Sequence, residues 1–249
     1  MRRFLAIVVA LAFVLSACST GSDTRPTLSG DNGRRPTTST TLPPYISLVA
    51  EARVLVVGIF DWPGASKPSR VLGNPWYVND EKDKPVTQVF LVKQQVADWF
   101  EVYLPIRPNG TTGWIREQDV NITQTPYRIV VELGKHQITV YDAGDVFLQE
   151  AVAIGQPSTP TPPGTYYLRV LLQAPDPNTV YGPYAYPLSG HSDVLTSFNG
   201  GDGELGIHGN DDESVLGQSV TAGCVRMKNA SITQLVPLLP LGTPVEIQA

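Results

Sequence analysis

Towards its C-terminal end the chain reads Gly206-Ile207-His208-Gly209-Asn210 and then Thr221-Ala222-Gly223-Cys224-Val225-Arg226, with fifteen residues between the imidazole and the thiol. A thiol attacks a carbonyl only as a thiolate, so it needs a base that takes its proton. Glycines beside it let a substrate approach backbone amides, which stabilise the oxyanion that forms. An imidazole, a thiol and small residues in this pattern point to acyl transfer.

The same residues carry a resemblance. His-Gly, a spacer, then Ser/Thr-x-Gly-Cys-Val/Ile-Arg resembles the signature of the L,D-transpeptidase (YkuD-type) family, and the turn order Gly155-x-Pro followed by Thr161-Pro-Pro-Gly-Thr resembles it again. The resemblance implies Cys224 as nucleophile, His208 as general base, the backbone at Gly223 and Cys224 as oxyanion donors, and Thr221 as an orienting residue. On the substrate side it directs attention to Arg226, Gly209, Tyr184, Tyr186 and His191. The carbonyl of Gly209 or of Thr221 is the candidate for fixing the imidazole tautomer. One branch of the family has Ser-His-Gly-Cys where this chain has Thr221-Ala222-Gly223-Cys224, so His208 acts here without a second imidazole beside the nucleophile. The implied reaction is peptidoglycan cross-linking: Cys224 displaces D-alanine from a stem peptide, and an amine of a neighbouring stem resolves the acyl-thioester. By analogy, a carbapenem would acylate the same thiol.

These residues need a scaffold, and the polarity pattern describes a mainly β one. From 127 to 249 alternation at Ile129, Val131 and Leu133 and again at Ile138 and Val140 predicts a β-meander turning at Gly134-Lys135 and at Asp142 to Asp145. Further strands are expected at Ala151 to Ile154, Thr165 to Val170 and Pro244 to Ile247, with a short helix over Ser231 to Leu239 capped by Asn229 or Ser231. Between Gln173 and Asp202 no period emerges, which reads as a long lid loop holding His191. By resemblance, this half is an L,D-transpeptidase-type β-sandwich.

Residues 45–122 hold short apolar segments, Ala52 to Phe60, Gln88 to Val92 and Trp99 to Leu104, between Pro, Gly and Asn clusters. With Gly113-Trp114-Ile115 they resemble a bacterial SH3-like module, a small β-barrel that binds cell wall, in which Trp62, Trp76 and Trp99 either line a groove or fill the core. A linker is expected around Asn121 to Pro126.

Residues 1–17 combine Arg2 and Arg3 with an apolar run from Phe4 to Leu15, too short to span a bilayer but suited to an export signal. The run ends in Leu15-Ser16-Ala17-Cys18, which resembles a lipobox and makes Cys18 the lipidation site. Residues 18–44 are Ser-, Thr-, Gly- and Pro-rich, a tether reaching about 25–30 Å as a flexible coil. The expected address is the outer face of the cell membrane, in the cell-wall or periplasmic space, with the membrane and stem peptides as partners.

With Cys18 lipidated, Cys224 has no disulfide partner, and an unpaired thiol in an oxidising compartment is better explained by reactivity than by packing. A net charge of -5 argues against nucleic acid, and three His without Cys-x-x-Cys or His-Glu-x-x-His argue against a metal or other cofactor. A monomer is expected. His136, at a hairpin turn beside Lys135, reads as a surface residue. Three alternatives use the same residues. Water in place of the amine gives an L,D-carboxypeptidase or endopeptidase. A papain-like hydrolase would place its Cys before its His, the reverse of the order here. A wall-binding lipoprotein without activity would bind sacculi and leave Cys224 unacylated.

Overall fold

The computed structural model describes residues 42–78, 84–197 and 201–249. The export signal, Cys18 and most of the tether lie outside the described residues. Among the described residues three sheets hold most of the strand positions, and the one α-helix is Asn229–Leu235.

The first sheet orders Thr112–Arg116, Trp99–Tyr103, Val89–Val96, Ser47–Ala52 and Val120–Thr125, every pair antiparallel. Its inward residues, among them Ala50, Phe90, Phe100, Val102 and Ile115, form one small core with Val57 and Ile59 of the separate strand Val56–Ile59. The expected linker is part of this sheet. Ser47 to Ala52 pair residue by residue with Thr125 to Val120, and only Pro126 separates this strand from the next sheet. In the strand Val120–Thr125 only the two end residues are buried and the polar segment Asn121-Ile122-Thr123-Gln124 between them is not, so an edge strand here reads like a loop. Trp99 stacks edge-on against Phe60 at 4.9 Å, Trp76 lies under the Arg169 guanidinium at 3.9 Å, and Trp62 is 61% exposed. The three do not share one environment.

The second sheet orders Asp145–Ala151, Gln137–Asp142, Tyr127–Glu132, Pro244–Gln248 and Gly164–Tyr167, with Tyr127–Glu132 and Pro244–Gln248 parallel. The meander matches the alternation, although its third strand is Asp145–Ala151 and only the two-residue Ile154–Gly155 follows. The third sheet orders Leu172–Gln173, Tyr184–His191, Glu204–His208 and Val225–Arg226. Ile129, Val131, Ile138 and Val140 from one sheet meet Tyr186, Leu188, Leu205, Ile207 and Val225 from the other, closed by Ile232 and Leu235 of the helix Asn229–Leu235.

Two expectations change here. The stretch read as an irregular lid contains the eight-residue strand Tyr184–His191, disguised by Pro187, Ser189 and Gly190, which break the polarity pattern. The helix has no side-chain cap: Lys228 takes the N-cap position, the Asn229 amide oxygen accepts from the Asn210 N–H, and Ser231 donates to Glu150. Both side chains tie the helix to neighbouring loops.

Residues 42–249 form one compact unit. Val49, Val89 and Leu91 of the first sheet pack with Tyr167 of the second, and Tyr103 and Leu241 close this small cluster. Gly242, at φ 86°, lies so close to Val49 that a Cβ would enter its side chain. Gly242→Ala is expected to cost about 1–3 kcal/mol through overpacking and an unfavourable φ, read as a lower urea midpoint at unchanged slope.

Candidate active site

The strand Glu204–His208 runs parallel to Val225–Arg226, with Ile207 opposite Val225 and His208 opposite Arg226. Because side chains alternate, Leu205, Ile207 and Val225 enter the core, whereas Gly206, His208, Cys224 and Arg226 take the other face. Two adjacent strands thus present the imidazole and the thiol to one cavity of about 650 Å³, which both line. Its walls come from Leu172 to Asp176, from Thr179 to Tyr181, and from Gly203 to Gly206, with Val78 and Lys84 added by the first β lobe.

His208 is 3% exposed, and its Nδ1 lies 2.7 Å from the Gly209 carbonyl. A carbonyl only accepts, so Nδ1 carries the hydrogen and Nε2 is left as the basic nitrogen. Of the two carbonyls considered for this task, Gly209 performs it. The Thr221 carbonyl instead accepts from the Gln156 N–H at 2.9 Å and the Thr159 hydroxyl at 3.1 Å. Burial pulls the imidazole down to about 4, opposed by the Gly209 and Val180 carbonyls and reinforced by Arg226. Burial pushes the half-buried Cys224 thiol up, opposed by a hydrogen bond from the Gly206 backbone and by Arg226. Both shifts favour a neutral thiol and a neutral imidazole in this cavity over a preformed ion pair.

The His208 shift has a stability consequence. Between the ordinary histidine value and about 4, the unfolded chain binds a proton that the fold excludes, so stability falls as pH drops through this window. The loss attributable to His208 is expected to approach about 3 kcal/mol. Urea melts at pH 7.5 and 4.5 should show a smaller drop for His208→Gln than for the unsubstituted chain, since glutamine does not titrate.

The turn before Cys224 is held by threonines. Thr221 donates to the Cys224 carbonyl at 2.6 Å and accepts from the Gly223 N–H at 3.1 Å. Buried Thr161 donates to the Gly223 carbonyl at 2.8 Å and accepts from the Gly155 N–H at 2.8 Å. Gly223 adopts φ 120°, which a side chain rarely tolerates. Its N–H, expected to be an oxyanion donor, is thus already committed to Thr221, whereas the Cys224 N–H has no partner among the described residues. Thr161 carries this geometry although its position in sequence marked only a turn.

The other expected residues divide. Gly209 packs so tightly against Asn229, Gly182 and Pro183 that a Cβ there would overlap the Asn229 side chain, which makes it a backbone position beside His208 and not part of the cavity lining. Arg226 acts on both titrating groups by charge, and its Nε is buried without a hydrogen-bond partner. Tyr186 is a core residue at 2% exposure, and half-buried Tyr184 packs against the same core; neither lines the cavity. Tyr181 does, with its ring centroid 5.0 Å from that of His208. His191 is no lid residue: it ends a strand, is 2% exposed, and its Nε2 lies 3.1 Å from Asp202. Burial holds its imidazole below the usual range despite that carboxylate. His136, at the surface, contacts Ser219. Among the described residues no three His, Cys, Asp or Glu side chains gather as a metal site requires.

Residues 126–247 match the family profile of the L,D-transpeptidase catalytic domain, YkuD. The YkuD proteins of Bacillus licheniformis and Bacillus subtilis, whose names assign them to the L,D-transpeptidases, are each 30% identical over 122 residues. That alignment covers 49% of this chain and 66% of each relative, just under two thirds of their length. Among solved structures, the catalytic domain of an Enterococcus faecium L,D-transpeptidase is 23% identical with a TM-score of 0.38, covering 49% of this chain and 95% of that one. An L,D-transpeptidase from Mycobacterium smegmatis is 14% identical with a TM-score of 0.42, covering 78% and 99%. Profile and curated relatives together support a YkuD-type L,D-transpeptidase catalytic domain over residues 126–247.

Proposed function

We propose that this chain, with its YkuD-type catalytic domain over residues 126–247, is a cysteine-dependent L,D-transpeptidase that cross-links peptidoglycan stem peptides. The observation that carries this reading is the thiol and the buried imidazole on one face of two adjacent strands, opening on a single cavity, with Nδ1 tied to a backbone carbonyl.

In the proposed cycle a stem peptide lies in the cavity with the carbonyl before its D-alanine against Cys224. The sulfur bonds to that carbon while its proton passes to His208 Nε2, so charge forms only as the reaction proceeds. This suits a pair whose shifts both favour neutrality. The Cys224 N–H donates to the oxyanion, and the Gly223 N–H joins it by leaving Thr221. The imidazolium returns its proton to the departing amine, D-alanine leaves, and an acyl-thioester remains. An amine of a second stem then attacks, gives its proton to His208, and restores the thiol. Tyr181 screens the imidazole from water on one side. Water as acceptor would turn the same intermediate into carboxypeptidase product.

The first β lobe is, in the same proposal, an SH3-like wall-binding module, and the N-terminal segment anchors the protein through Cys18 to the outer face of the membrane. The test of the reading is intact-mass spectrometry of the full-length chain with a carbapenem, followed by peptide mapping. A stable adduct on the peptide containing Cys224 is the expected result. An unmodified chain whose thiol still reacts with iodoacetamide would favour an inactive wall-binding lipoprotein.

A further inference from the structure

The loop that leads into the His208 strand is held from the first lobe as well as by its own contacts. Ser192 to Leu195 follow the end of Tyr184–His191, Asp202 and Gly203 lead into Glu204–His208, and the two arms are joined by the Ser192 N–H donating to the Gly203 carbonyl at 2.8 Å. Into this loop reaches Arg107 of the first lobe. Its guanidinium donates to the carbonyls of Ser192 at 2.5 Å, Leu195 at 3.0 Å and Asp202 at 2.6 Å. Two residues on, Asn109 binds His191 as a backbone would: its amide nitrogen donates to the His191 carbonyl at 2.7 Å and its oxygen accepts the His191 N–H at 2.9 Å. The same nitrogen lies 3.3 Å from an Asp193 carboxylate oxygen. Gly203 sits so close to this clasp that a Cβ would overlap the Leu195 carbonyl.

A planar fork with five donors satisfies three carbonyls at once and, being rigid, fixes their positions relative to one another. What it fixes is the cavity wall, since Gly201, Gly203, Glu204, Leu205 and Gly206 line the cavity in the stretch that ends at His208. We infer that Arg107 and Asn109 are positioning residues for the candidate active site, clamping from the first lobe the loop whose C-terminal arm carries the general base. The inference rests on the acyl-transfer reading for its effect on rate, but the clamp is a property of the fold and is measurable without activity.

A misplacement of about 1 Å in a catalytic constellation can cost about 100-fold, so Arg107→Ala should slow carbapenem acylation of Cys224 by about 10- to 100-fold and change iodoacetamide alkylation by no more than about twofold. Asn109→Ala should act in the same direction, as a milder variant if Arg107→Ala folds poorly. Hydrogen exchange at Gly203 to His208 should accelerate in both. Val49→Ala loosens the apolar contact between the lobes without touching the clasp, and should leave acylation near its original rate.

Wild-type acylation and exchange rates in both clasp variants would overturn the inference. Equal slowing in Val49→Ala would also overturn it, by assigning the effect to lobe docking in general. If the unsubstituted chain itself takes no carbapenem, the acyl-transfer reading fails, and the exchange measurement alone decides whether the clamp exists.

Discussion

Cys224→Ala is expected to lower stem-peptide exchange by more than about 10⁴-fold and to abolish every covalent adduct at the site, because a nucleophile has no partial substitute. The fold should survive. The side chain is half-buried, and the turn that carries it is held by hydroxyls and amides of Thr161, Thr221 and Gly223 that alanine leaves in place. Melting should therefore shift little while the mass adduct disappears, and single-turnover assays with a stem tetrapeptide would read both at once. Residual acylation at a comparable rate would mean that another side chain attacks.

His208→Gln ranks second. General-base assistance is typically worth about 10²–10⁴-fold, and no other imidazole lines the cavity among the described residues. His191 is occupied with Asp202 and His136 with Ser219. Acylation should fall by that factor at pH 7 and then rise with pH as hydroxide replaces the base on a thiol whose pKa burial has raised. In the unsubstituted chain the rate should decline only below about pH 5, as the depressed His208 takes up its proton. A preformed thiolate–imidazolium pair would instead show the ultraviolet absorbance of a thiolate at neutral pH, which a neutral pair lacks.

The chemistry was legible where it depended on residue type close in sequence. Cys224, His208 and their glycines announce themselves, and a period of two over Ile129 to Val140 predicts the meander beneath them. What escaped notice depends on contacts distant in the chain. Thr161 matters because it reaches Gly223, 62 residues away. Arg107 and Asn109 matter through backbone more than eighty residues further on, which no local pattern encodes. The strand Tyr184–His191 was hidden because its proline and glycine suppress the alternation that marks a strand, while sheet neighbours on both sides supply the missing order. His191 illustrates the hazard: a histidine among Ser and Gly looks like a loop residue, yet tertiary packing buries it away from the cavity.

The threonines around Cys224 also explain why a neutral pair suffices. With Thr221 and Thr161 fixing the carbonyls of Cys224 and Gly223, and Gly209 fixing the imidazole, the rearrangement the proposed reaction still needs is release of the Gly223 N–H from Thr221. The first lobe contributes Val78 and Lys84 to the wall of the same cavity.

The most direct test of the central claim is mass spectrometry of purified disaccharide-tetrapeptide incubated with the full-length chain, beside Cys224→Ala. The account predicts dimers in which two stems are joined and one D-alanine has been released, absent from the variant. Tripeptide monomers without dimers, or dimers formed equally by Cys224→Ala, would contradict it.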